Sequence, residues 1–112
     1  MIIWKDIKGY EGVYQVSNAG LVKSLGNDFA RKEKILKPIT SKKGYLSVNL
    51  YKKNVMKKFK VHRLVAEAFV PNPYNFSQVN HKHHGGKEAL LNNHSDNLEW
   101  CTDGMNHLHA RF

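Results

Sequence analysis

The chain has 112 residues, 41% hydrophobic and 24% charged, and its 18 Lys and Arg against 9 Asp and Glu give a net charge of +9. That length makes one domain with one core the expectation, and the composition excludes a disordered chain. No stretch approaches the roughly 20 apolar residues of a membrane span, and a single cysteine, Cys101, excludes an internal disulfide.

The charge is unevenly placed. Residues 1–60 hold 14 Lys and Arg against 4 Asp and Glu, a balance of +10, whereas residues 61–112 hold 4 against 5. A basic part therefore stands beside a near-neutral, His-rich part, and phosphate is the partner such a basic surface attracts most generally. Met1-Ile2-Ile3-Trp4-Lys5-Asp6 has neither the basic nor the apolar region of a signal peptide. With the lone cysteine, this fits a reducing cytoplasm.

Taken in order, Val13-Tyr14-Gln15-Val16-Ser17 alternates and is rich in β-formers, so it predicts a strand. Asn18-Ala19-Gly20 is a turn signal, and Leu21–Leu25 is the partner strand. Trp4, Tyr10 and Tyr14 are expected to pack the core of this small sheet rather than stack on bases. Ile35-Leu36-Lys37-Pro38 is expected as a short edge strand, since proline cannot donate to a central ladder. Residues 45–51 and 55–61, joined through Lys52-Lys53-Asn54, predict a hairpin with one apolar and one basic face. Arg31, Lys32, Lys42, Lys43, Lys52, Lys53, Lys57 and Lys58 are the candidate nucleic-acid contacts, mostly to the phosphate backbone.

Residues 61–69 carry apolar groups at 61, 64, 65, 68 and 69, which is helical spacing, and Pro71 and Pro73 end that helix. His62 is expected to be a satisfied structural histidine, and Arg63 a further candidate phosphate contact. Beyond it come a short apolar run ending in Asn80-His81, a long loop rich in His, Gly and Asn, and a second strand-like run, Leu98–Cys101. A last helix is expected from Asp103, carrying Asn106, His107 and His109. The fold class expected is α+β: a small N-terminal antiparallel sheet with one helix, followed by a strand–loop–strand–helix unit. The expected divisions of one compact body are residues 1–60, 61–77 and 78–112.

Two stretches resemble a known family. Asn80-His81, Gly85-Gly86, Asn92-Asn93, Asn97-Leu98-Glu99-Trp100 and Asn106 resemble the HNH nucleases in their ββα-metal form, closest to the phage and intron homing branch. Trp4, Lys5, Ile7, Gly9, Tyr10, Glu11, Gly12, Tyr14, Val16, Ser17, Asn18 and Gly20 resemble the NUMOD-type motif that accompanies many of those enzymes. The resemblance implies a metal-dependent DNA endonuclease that hydrolyses phosphodiester bonds. A phage or mobile-element origin in a bacterial host is implied by it too.

Phosphodiester hydrolysis needs a base for water, a Lewis acid for the growing charge, and alignment of the reacting groups. His81 suits the base, because imidazole titrates near neutral pH. Asn80 and Asn106 offer hard amide oxygens that suit Mg²⁺. Adjacent strand residues point oppositely, so Asn80 and His81 need an irregular strand end to serve one site. The resemblance implies such an arrangement, with Asn80 on the metal and His81 as base. It also implies that Asn97 ties the loop to the strand and orients His81. His109, on the helical face of Asn106, and His83, where the family commonly has Asp, are candidate extra ligands or phosphate contacts.

His83, His84, His94, His109 and Cys101 are ligand types for Zn²⁺ or Ni²⁺, and Mn²⁺ is a further candidate, but no closed zinc spacing is present. One such site cuts one strand, so a monomer is expected to nick duplex DNA, and a double-strand break needs a dimer or two visits. Larger relatives carry a further C-terminal DNA-binding segment, so modest specificity is expected. The main rival is a non-catalytic DNA-binding protein that kept the fold, and the third reading is a zinc-stabilised interaction module. The nuclease reading requires Asn80 near Asn106 and a ring at residue 81 that is not buried away from phosphate.

Overall fold

The structure is a computed structural model and describes residues 1–26, 32–41, 44–82 and 93–102. Nine strands, one helix and one 3-10 turn form these residues into an α+β fold. β1 (Trp4–Asp6), β2 (Tyr14–Ser17), β3 (Val22–Ser24) and β4 (Lys34–Ile35) make an antiparallel sheet in that order. β5 (Ile39–Thr40), β6 (Leu46–Lys52) and β7 (Val55–Lys60) make a second, and β8 (Gln78–His81) pairs with β9 (Leu98–Cys101) as a two-stranded ribbon.

Local chemistry explains most of these boundaries. Between β2 and β3 the buried Ser17 hydroxyl accepts the N–H groups of Ala19 and Leu21, which closes the Asn18-Ala19-Gly20 turn. Between β6 and β7, Lys53 and Asn54 both take positive φ (50° and 66°), as a tight two-residue hairpin turn requires. Leu36 N–H donates to Val22 O, so β4 is the edge of the first sheet. Pro38 then falls in the link to β5, where no ladder donor is needed.

α1 (Val61–Phe69) follows β7 without an intervening loop. It ends because Val70 precedes Pro71 and is pushed into the extended region (φ −108°, ψ 118°). Its apolar stripe packs against β2, β6, β7, β8 and β9, so the helix sits centrally. One buried cluster runs from Ile7, Tyr10, Tyr14 and Val16 through Val48, Leu50 and Leu64 to Val79 and Leu98. Tyr10 meets Tyr14 and Phe59 edge-on, each at 5.7 Å, and the Tyr14 hydroxyl accepts Tyr51 N–H. Tyr10 and Tyr14 are therefore core residues, whereas Trp4 is half-buried beneath the Lys23 ammonium at 4.3 Å.

Polar links also join the N-terminal part to α1 and to the turn before β9. Lys5 Nζ donates to Ala68 O, and Ser95 N–H donates to Asn18 O at 2.8 Å. Trp100 Nε1–H donates to Val70 O, which fixes β9 to the end of α1.

Candidate functional site

The β8–β9 ribbon pairs Asn80 with Glu99 and His81 with Leu98. Pairing stays regular through both positions, so Asn80 and His81 take opposite faces, and no strand irregularity precedes the end of β8 at His81. Asn80 Nδ2 donates to Glu99 Oε1 at 3.1 Å. The amide nitrogen is thereby committed, and the carbonyl oxygen remains as the hard donor. Glu99 thereby places a carboxylate beside Asn80.

His81 is 4% exposed, so it is not the open surface imidazole that a direct phosphate contact calls for. Its Nε2–H donates to Asn93 Oδ1 at 2.8 Å. Its ring lies 4.8 Å from the His62 ring and 6.0 Å from that of Tyr45. Asn97, also buried, accepts Lys82 N–H on its backbone carbonyl, directly after His81, and its own N–H donates to His94 O.

His62 departs from the satisfied histidine expected of it. It is 6% exposed, and its Nδ1 has no hydrogen-bond partner among the described residues. Burial, reinforced by His81, Lys60 and Arg63, pushes its pKa down to about 3. The unfolded chain takes up that proton near pH 6.5, while the folded chain stays neutral until about 3. In this window the unfolded state binds more protons, so stability is lost as pH falls, by at most about 1.4 kcal/mol per pH unit. Urea unfolding at about pH 7 and about pH 4.5 should show a smaller acid loss for His62→Phe than for the unmodified chain. Equal losses would mean that His62 is protonated in the folded state.

The NUMOD4 motif model matches residues 3–51. Over 103 residues, 92% of its length, the chain is 46% identical to DNA endonuclease I-HmuI of Bacillus phage SP01, of which it covers 54%. It is also 42% identical over 107 residues, 96% of its length, to an uncharacterized HNH endonuclease of Acanthamoeba polyphaga mimivirus, of which it covers 29%. A solved structure of the HNH homing endonuclease I-HmuI, described for its DNA binding and cleavage, matches with a TM-score of 0.79 at 42% identity. That match takes in 97% of this chain and 57% of the other. Over nearly its whole length this chain is similar to HNH homing-type endonucleases. It spans between about a quarter and just over half the length of the curated relatives it matches.

The described residues bring Asn80, His81 and Asn97 to one end of the β8–β9 ribbon. Asn106, His109, His83, Arg31, Lys42 and Lys43 lie outside the described residues. Asn93 and Glu99 are additions that the sequence reading did not single out. The register would have revealed Glu99, because Asn80 and Glu99 are cross-strand neighbours. Asn93 has no signal beyond its place in the Asn92-Asn93 pair.

Two expectations about the basic residues need correction. The hairpin lysines do not share a face: Lys57 pairs with Leu50, on the side of the buried residues, while Lys58 and Lys60 pair with Asn49 and Ser47 on the other. Alternation explains this, since Lys57 and Lys58 are adjacent. Lys52 Nζ donates to Gly9 O and lies 5.9 Å above the Tyr10 ring, and Arg63 donates to Ser77 O beside Trp100. Both therefore hold the fold together. Lys32, Lys53, Lys57 and Lys58 are exposed.

The donors around Asn80 fit a hard divalent cation, which takes oxygen ligands. The soft-ligand alternative fits less well, since Cys101 is fully buried in the core. His94 Nδ1 accepts Asp96 N–H at 3.1 Å, so it serves the turn before β9. Among the described residues no three His, Cys, Asp or Glu side chains gather as a metal site.

Proposed function

We propose that this chain is the DNA-gripping and cutting part of a metal-dependent HNH endonuclease that nicks one strand of duplex DNA. The observation that carries the reading is His81, the last residue of β8, an imidazole held in one orientation by Asn93. It is next in sequence to Asn80, whose carboxamide meets Glu99 on the other face of the ribbon, so that the two would flank the site from the strand end. Its support from comparison is the 46% identity to a phage DNA endonuclease across nearly the whole chain.

Asn80 Oδ1 and Asn106 would hold the ion, Mg²⁺ first among the candidates, with Glu99 turning the Asn80 carboxamide. The divalent ion supplies Lewis-acid neutralisation of the phosphate and of the leaving 3′ oxygen. His81 takes a proton from water at Nδ1, since Nε2 already carries one toward Asn93. The water oxygen then forms the new bond to phosphorus as the bond to the 3′ oxygen breaks. Little exposure is required of His81, because the group that meets it is a water molecule. Asn97 keeps the end of β8 against the turn before β9. Lys32, Lys53, Lys57 and Lys58, with Arg31, Lys42 and Lys43, would meet the phosphate backbone. The chain would act as a monomer in a bacterial host cell.

Incubating the purified chain with supercoiled plasmid and Mg²⁺ tests this. Relaxed circles that require the metal support the reading, whereas gel retardation without cleavage overturns it in favour of a DNA-binding protein. The same assay reads Glu99. Replacing its carboxylate by an amide in Glu99→Gln should raise the Mg²⁺ needed for half-maximal nicking about tenfold or more, because partners that orient a ligand contribute that much to metal affinity. An unchanged Mg²⁺ requirement would remove Glu99 from the site.

A further inference from the structure

We propose that the Asn18-Ala19-Gly20 turn is a positioning element for His81, acting through Asn93; this rests on the reading of His81 as the base. The turn falls within the matched NUMOD4 motif, residues 3–51, whereas Asn93 and His81 lie outside it. The motif thereby does more than present a basic surface: it helps build the nuclease site.

Three observations make the chain of contact. First, Asn93 Oδ1 lies 2.8 Å from His81 Nε2. A carboxamide oxygen only accepts, so Nε2 carries the proton and the basic lone pair of the neutral ring is on Nδ1. Second, Asn93 is 3% exposed and is pressed against Gly20. A Cβ on Gly20 would stand 2.9 Å from Asn93 Cβ, closer than real Cβ atoms come, and a tight 3.2 Å from its carbonyl oxygen. Gly20 also takes φ +87°, a region that favours glycine. Third, Ser95 N–H donates to Asn18 O at 2.8 Å, so the chain just after Asn93 is tied to the same turn. The turn is itself anchored: Asn18 Oδ1 accepts Ile3 N–H, and Asn18 Nδ2 donates to Met1 O. A rigid turn, a filled contact and a single hydrogen bond thus lead from the first sheet to the imidazole.

Long-range ¹⁵N correlation spectra of the His81 ring, in the full chain, read its tautomer without any need for activity. Gly9→Ala is the control, because Gly9 shares the φ of +87° but a Cβ there meets nothing within 4 Å. The expected result is a single Nε2–H tautomer in the unmodified chain and in Gly9→Ala, and a mixed ring state in both Gly20→Ala and Asn93→Ala. The two altered chains should lose about tenfold to a hundredfold in kcat with KM for DNA unchanged, and Asn93→Asp, whose carboxylate accepts the same bond, should keep the Nε2–H form. Should Gly20→Ala fail to fold, Ser95→Pro, which removes the N–H donated to Asn18, reads the same link. An Nδ1–H ring in the unmodified chain, or a Gly20→Ala ring identical to it, overturns the proposal. Ring states that shift as expected in a chain that never cuts DNA support the positioning link and sink the base assignment instead.

Discussion

His81→Ala should cut DNA roughly 10²–10⁴ times more slowly than the unmodified chain, the range a positioned general base contributes, while retaining its affinity for duplex DNA. The split follows from where the residue sits. His81 ends β8 and is 4% exposed, so it is not part of the basic surface that meets phosphate. Removing the ring leaves a space bordered by His62, Tyr45 and Asn93, and so costs some stability as well. Cleavage should therefore be measured well below the melting temperature, under single turnover, with gel retardation on the same preparations. Partial recovery with added imidazole would assign the loss to the missing base rather than to a displaced strand. Cleavage within a few-fold of the unmodified chain would remove His81 from the chemistry.

Much of the fold was legible because its signals are local. The apolar spacing over 61–69 and the prolines beyond it gave α1 with its bounds, since helical period and pre-proline geometry depend on neighbours in sequence. Alternation gave β2, β3 and the β6–β7 hairpin, and two short apolar runs pointed to β8 and β9. β1 was missed, because three residues with a half-buried Trp4 and two exposed positions carry no alternation to read; pairing with β2 makes it a strand. Of the candidate site, the residue types were legible and their partners were not. Asn93 reaches His81 across 12 positions, and Glu99 reaches Asn80 across 19, through pairings that only the folded ribbon specifies. The basic face failed for a related reason: charge counts say how many lysines a hairpin holds, and register decides which side each takes.

Leu98→Ala should destabilise the chain by about 2–5 kcal/mol, the usual range for a buried leucine truncated where the surroundings cannot close the gap. Leu98 is 1% exposed, sits in the cluster that joins the sheets to α1, and is the cross-strand partner of His81. It thus lies on the same side of the ribbon as the imidazole and helps form the layer on which that ring rests. At roughly 4–8 °C of melting temperature per kcal/mol for a domain of about this size, the loss corresponds to a fall of at least about 8 °C. Val55→Ala is the comparison: Val55 is 55% exposed at the hairpin and should change stability by less than about 0.5 kcal/mol. The activity of Leu98→Ala separates support from chemistry. Its backbone pairing and its donors at residues 80, 81 and 93 are intact, so it should still nick DNA when cold and lose activity on warming, in step with unfolding. His81→Ala should be slowed by its roughly 10²–10⁴-fold at every temperature. A stability loss below about 1 kcal/mol for Leu98→Ala would mean that the ribbon bearing His81 is not joined to the core, and that the site does not depend on the packing of α1.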